Sequence, residues 1–214
     1  MAKPDLKAIS AELDDIWKKF DTLYAGISEE GWKKRFGKDW IFADQPFHMG
    51  YLEEMVASNV TAGKSLPADK QVMTKTLAEL NQWNATEFAK RPAGLTAQQA
   101  WDQWKQNRDA VRKAMSGLSD ADLDRPAWMP IFMGWATVRD LLAFSVVHAV
   151  GEYTELRFRL KKKEPQPSAA GKNLRLATMM DAMGLLMNKK SRRTLISWRC
   201  GTSRAKAAEP GPRA

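Results

Sequence analysis

Apolar residues recur at intervals of three and four through nearly all of the first 160 positions, and no segment alternates apolar with polar as a half-buried strand does. A chain patterned this way can bury its apolar stripes only by packing helix on helix, which makes the expected fold class all-α. Leu6, Ile9, Leu13, Ile16, Trp17, Phe20 and Leu23 form one stripe and predict a first helix from about Asp5 to Tyr24. A second starts near Asp44, with Pro46 in its first turn, where no intrahelical N–H partner is missing. His48, Tyr51, Leu52, Met55, Val56 and Asn59 then follow at helical spacing.

The third main helix is expected from Thr96 to about Ser116, with Ala100, Trp101, Trp104, Arg108, Val111 and Met115 in line. The fourth runs from Thr137 to about Lys161, and Thr137 with Asp140 three residues on has the form of a capping box. Between them lie two long connections broken by Gly and Pro, "AGISEEGWKKRFGKDW" and "SDADLDRPAWMPIFMGWA". An accessory helix is expected over Val72 to Lys90. Four amphipathic helices with long crossovers and one accessory helix describe a four-helix bundle over residues 1–162.

Charge divides the chain. From residue 161 onward there are 13 Lys/Arg against three acids, which leaves the first 160 residues nearly neutral, with 21 basic and 22 acidic. Nearly all of the excess of +9 therefore sits in a basic extension, 163–214, in which one short helix is expected at Leu174–Met187 and little other order. Such an extension can contact nucleic acid or anionic lipid, but no recognition motif accompanies the charge, so no specific nucleic acid is predicted. Its methionine-rich helix can equally cover the bundle or a second copy in a homodimer. No apolar run approaches the roughly 18 residues needed to span a bilayer. The single cysteine, Cys200, cannot close an internal disulfide, and the start of the chain lacks the apolar core of a signal peptide. A cytoplasmic location is the expectation.

The chemistry-bearing signal is a set of polar residues on faces that should look inward. On the fourth helix Val138, Leu141, Leu142, Ser145, His148, Ala149, Glu152 and Leu156 share a face, so Ser145, His148 and Glu152 interrupt an apolar stripe. A carboxylate turned into a core is costly unless a cation satisfies it. The other histidine of the chain, His48, heads the stripe of the second helix. Two imidazoles and a carboxylate with an open position suit catalytic zinc first, with iron, nickel or manganese as further candidates. Histidine and glutamate four apart on a helix are common, so spacing leaves two readings open: metal ligands, or ordinary core residues.

The order of these elements, with "KDWIFADQPFHMGYLEEMV" as the second helix and "TVRDLLAFSVVHAVGEYTELR" as the fourth, resembles the DinB/YfiT-like superfamily of metal-binding four-helix bundles. That superfamily includes the mycothiol-dependent maleylpyruvate isomerases. The resemblance covers about residues 5 to 160. In that family the fourth helix usually carries two histidines four residues apart, which join the one from the second helix on a divalent metal. His48 and His148 match two of those ligands, and Glu152 stands where the third histidine is expected.

The resemblance implies a metal-dependent thiol transferase or isomerase using a low-molecular-weight thiol, such as mycothiol, bacillithiol or glutathione, on a small-molecule substrate. It also admits a non-enzymatic bundle with a degenerate site, serving small-molecule binding or stress response. Binding of nucleic acid or anionic lipid through the basic extension is a third class. Trp40 and Trp135 flank the long connections and are candidates to wall a substrate pocket, alongside the ordinary role of tryptophan in packing. Arg108, interrupting the third stripe, is a candidate for an acidic substrate group, or a residue whose stem packs while its head reaches water.

Overall fold

The computed structural model describes residues 3–36, 40–130 and 134–160, and these are mostly helical. Helix α1 (Leu6–Ala25) begins where the Asp5 carboxylate accepts from Ala8 N–H at 2.7 Å, an N-cap that answers one of the free donors of the first turn. A single turn, α2 (Glu29–Trp32), interrupts the first connection. Helix α3 (Gln45–Ala62) carries Pro46 in its first turn, α5 covers Ala97–Ser116 and α6 covers Val138–Arg159. These three are the second, third and fourth main helices expected from the sequence: α3 starts within about one residue of its expected start, and α5 and α6 lie within about two residues of their expected bounds. The short helix expected at Leu174–Met187, and the basic extension that contains it, lie outside the described residues.

The four long helices close into a ring. Helix α3 packs along α5, α1 packs along α6, and α3 with α6 and α1 with α5 complete it. Its core is built from the predicted stripes: Leu13, Ile16 and Phe20 of α1, Trp104 and Val111 of α5, and Leu141, Leu142 and Leu156 of α6 are all fully buried. Phe20 sits edge-on to Trp104 and to Tyr153, at 5.0 and 5.3 Å between ring centres. Gly50 faces α5 across the α3–α5 contact, where a Cβ would sit in ordinary van der Waals contact with Trp104 at 3.8 Å.

Two elements depart from the sequence reading. The accessory helix α4 is shorter than expected, Leu77–Ala89, and starts at a capping box in which Thr76 and Glu79 exchange hydrogen bonds. The residues before it are drawn away: Thr74 N–H donates to Pro130 C=O at 2.8 Å, which holds that segment extended. The second long connection contains a two-stranded antiparallel hairpin, β1 (Pro126–Met129) with β2 (Gly134–Thr137), pairing Trp128 with Trp135. Strands of four residues are too short for alternation to register in a sequence. Gly134 opens β2 at φ +77°, a backbone conformation that favours glycine; a Cβ there would also meet the Met73 methyl at 2.7 Å, which that flexible side chain can move to relieve. The hairpin delivers Thr137 as the cap of α6: Asp140 N–H donates to Thr137 Oγ1 and Thr137 N–H to the Asp140 carboxylate. The predicted capping box thus fixes where α6 starts, and with it the height of His148 and Glu152 in the bundle.

Candidate metal centre

His48 lies in the first turns of α3, and His148 and Glu152 lie one turn apart in the middle of α6. Helix packing brings the three together across a hundred residues of sequence. His48 Nε2 is 3.2 Å from His148 Nε2, and Glu152 Oε1 is 3.8 Å from the first and 3.6 Å from the second. The point in their plane equidistant from these three atoms lies about 2.1 Å from each, close to the lengths of zinc–imidazole and zinc–carboxylate bonds. The donor set, two imidazole nitrogens and one carboxylate oxygen, is also the chemistry of catalytic zinc and non-haem iron sites. The residues fit a divalent ion.

Electrostatics agree with that fit. His48 is buried, and burial followed by the neighbouring His148 holds its pKa well below the ordinary histidine value. Burial lowers His148 to about 4. Both imidazoles are therefore neutral near pH 7, the form in which a ring nitrogen can donate a lone pair to a metal. Burial raises the Glu152 carboxyl, and a hydrogen bond from the Gln45 side chain opposes the rise. Gln45 is itself fully buried in the first turn of α3, and its Nε2 donates to Glu152 Oε2 at 3.4 Å. Glu152 thus has one oxygen toward the imidazoles and the other toward Gln45.

An aromatic wall surrounds His48. The Trp40 ring lies 4.9 Å from the imidazole and 4.4 Å from Phe88 of α4, and Phe88 stacks parallel to His48 at 6.3 Å. On the other side Phe144 lies 5.8 Å from His148. Behind His48, Nδ1 is 2.5 Å from Tyr51 Oη, and the Tyr51 hydroxyl donates to Asn84 Oδ1 at 2.8 Å.

Of the three candidate substrate residues, Trp40 is the one brought to the triad. Arg108 is buried, and its guanidinium donates to both Asp21 oxygens at 2.8 and 3.2 Å and to Trp17 C=O at 3.2 Å, while lying 4.4 Å above the Trp104 ring. Its head is therefore held by α1 rather than by water. Trp135 is half exposed at 47%, edge-on to Trp128 at 5.4 Å. None of these contacts reaches the triad.

Ser145, the third polar interruption of α6, belongs to a second buried cluster. Its hydroxyl donates to Glu53 at 3.1 Å, and Trp17 Nε1 donates to the same carboxylate at 3.1 Å. Glu53 is buried, and desolvation pushes its pKa up to about 7 against the opposing effect of those two hydrogen bonds and of Arg108. Sequence reasoning missed Gln45, Tyr51, Glu53, Asn84 and Phe88. Tyr51 carried a signal, since it follows His48 by three on the same stripe. Glu53 was indistinguishable from its exposed neighbour Glu54.

Among the described residues no helix is long and apolar enough to cross a membrane. No curated protein and no solved structure gives a significant match to the chain. A family model does: it describes the DinB superfamily and matches residues 12–151, a stretch that begins in α1 and includes His48 and His148. With a bundle of the expected architecture and most of its length covered by that match, the chain belongs to the DinB superfamily.

Proposed function

We propose that this chain holds one divalent metal ion, zinc foremost and iron, nickel or manganese as alternatives, through His48, His148 and Glu152, and that it uses the site for thiol transfer or isomerisation. The observation that carries the reading is the triangle of ligand atoms with edges of 3.2, 3.6 and 3.8 Å. An ion with an open coordination position there would supply Lewis acidity and lower the pKa of a thiol or water bound to it. The chain's own part is to keep both imidazoles neutral by burial, to aim Glu152 through Gln45, and to exclude bulk water from one side with Trp40, Phe88 and Phe144. Trp40 is the residue proposed to meet the substrate. The thiol is a low-molecular-weight cellular one and the substrate a small electrophile.

The test is turnover. The zinc-loaded full chain should form thioether adducts from an electrophile with mycothiol, bacillithiol or glutathione faster than the buffer reaction, and chelation should abolish the gain. Absence of metal-dependent turnover with all three thiols, in a protein that does bind zinc, would favour the second reading. That reading is a non-enzymatic, small-molecule-binding bundle, and it is motivated by Glu152 standing where the family usually has histidine.

A further inference from the structure

Helix α4 contains no fully buried side chain among those described, yet it lies against the proposed metal centre. Its half-buried residues, Leu80, Trp83, Asn84, Glu87 and Phe88, fall at helical spacing along one face. The contacts of that face converge on the first turns of α3. Trp83 meets the Tyr51 ring at 5.9 Å, and Phe88 meets Phe47, His48 and Tyr51. Asn84 supplies the polar contact, accepting from the Tyr51 hydroxyl at 2.8 Å. Just past the helix, Arg91 pairs with Asp44 immediately ahead of α3.

The direction of the Tyr51–Asn84 hydrogen bond decides the state of His48. A tyrosine hydroxyl has one proton. With that proton on Asn84 Oδ1, Tyr51 Oη can only accept from His48, so the imidazole must carry its proton on Nδ1. Nε2 then carries a lone pair rather than a proton, and it faces His148 Nε2, 3.2 Å away. Reversing the relay, with the Asn84 amide nitrogen donating to Tyr51 and the tyrosine donating to Nδ1, would put the proton on Nε2 and block that side. Ring nitrogens of metal-bound histidines are commonly set by the hydrogen bond made at the other nitrogen.

We propose that Asn84 is a positioning residue. Acting through Tyr51 it holds His48 as the Nδ1–H tautomer with Nε2 presented to His148 and Glu152, and so it couples docking of α4 to metal binding. The metal half of this inference rests on the function proposed above; the tautomer half does not. Linkage makes the coupling reciprocal: an ion on His48 tightens α4 onto α3 by the same factor that a docked α4 tightens the ion.

The test compares the full-length wild type with Tyr51→Phe, Asn84→Leu and Asn84→Asp. Circular dichroism first establishes that each variant is folded. Long-range proton–nitrogen NMR of the metal-free proteins should show His48 protonated on Nδ1 in the wild type and in Asn84→Asp, whose carboxylate can only accept. Tyr51→Phe and Asn84→Leu should lose that preference. Zinc titration should give a Kd weakened by roughly 10- to 100-fold in Tyr51→Phe and Asn84→Leu, with Asn84→Asp staying within a few-fold of wild type. Zinc should slow amide exchange across 77–89 in the wild type and not in Asn84→Leu. A wild-type His48 protonated on Nε2, or an Asn84→Leu protein with wild-type tautomer and affinity, overturns the inference. A wild type with the Nδ1–H tautomer that takes up no zinc instead refutes the metal site and leaves the positioning of His48 by Asn84 standing.

Discussion

Two polar clusters lie along the seam between α3 and α6, one partly and one wholly buried, and they are satisfied in opposite ways. In the first, His48, His148 and Glu152 turn three potential electron-pair donors toward one point. In the second, about one turn on along α3 and one turn back along α6, the Glu53 carboxylate receives two hydrogen bonds, from Trp17 Nε1 and the Ser145 hydroxyl. Convergent acceptors ask for a cation. An acceptor ringed by donors asks for nothing further, and its remaining cost is desolvation, visible in the upward shift of Glu53 to about 7. Polarity in a core is thus not by itself a sign of chemistry; what distinguishes the two clusters is which partners are supplied.

The largest effects should come from the first cluster. His48→Ala, His148→Ala and Glu152→Ala are each expected to weaken zinc binding on the order of 100-fold or more, beyond the roughly 10- to 100-fold typical of groups behind the ligands, with helicity retained in circular dichroism. Glu152→His, which restores the histidine usual at this place in the family, should keep the metal.

The second cluster should respond in stability rather than in metal. The Glu53 pKa is raised in the folded chain from an ordinary 4.5 to about 7. Between those values the folded chain holds this proton more tightly than the unfolded chain does. Its contribution to stability is therefore complete below about pH 4.5, is lost as pH rises to 7, and stays lost above. A shift of this size corresponds to about 3 kcal/mol. Glu53→Gln keeps an acceptor for Trp17 and Ser145 while removing the charge, so urea unfolding should find the variant more stable than wild type at pH 8 by up to about that amount, with the difference gone at pH 4. Unchanged zinc affinity in Glu53→Gln would sharpen the contrast between the clusters, and a large loss would merge them.

A smaller effect is expected from the cap that sets the height of α6. Thr137→Ala removes the acceptor for Asp140 N–H and should cost about 1 kcal/mol in thermal or urea unfolding. It should leave zinc affinity within a few-fold of wild type, since the rest of α6 is held by Leu141, Leu142 and Leu156 in the core.

The same contrast runs through what the sequence made legible. The four long helices followed from stripes such as Leu13, Ile16 and Phe20, because burial of one helix face is a local property of the pattern. The triad was legible in part: His48 heads one stripe and His148 with Glu152 interrupts another, but so does Ser145, and it was the family resemblance that grouped His48, His148 and Glu152. The hairpin at Trp128 and Trp135 was hidden because its strands are four residues long, too short for alternation to register, and the bond from Thr74 N–H to Pro130 C=O beside it is tertiary. Asn84 was hidden because its role exists only once α4 lies on α3. Arg108 shows the limit of reading exposure from chemistry: a long cationic side chain on an apolar stripe was expected to end in water or on a substrate, and Asp21 of α1 holds it instead.

The most direct measurement of the central claim is metal content per chain, by mass spectrometry, of the full-length protein purified without a metal-binding tag, beside Glu152→Ala. Close to one equivalent of a divalent metal is expected in the wild type, present as isolated or after reconstitution, and its loss in the variant. A wild type that remains free of metal after reconstitution with zinc, iron, nickel and manganese, or a Glu152→Ala protein that keeps its full equivalent, would contradict it.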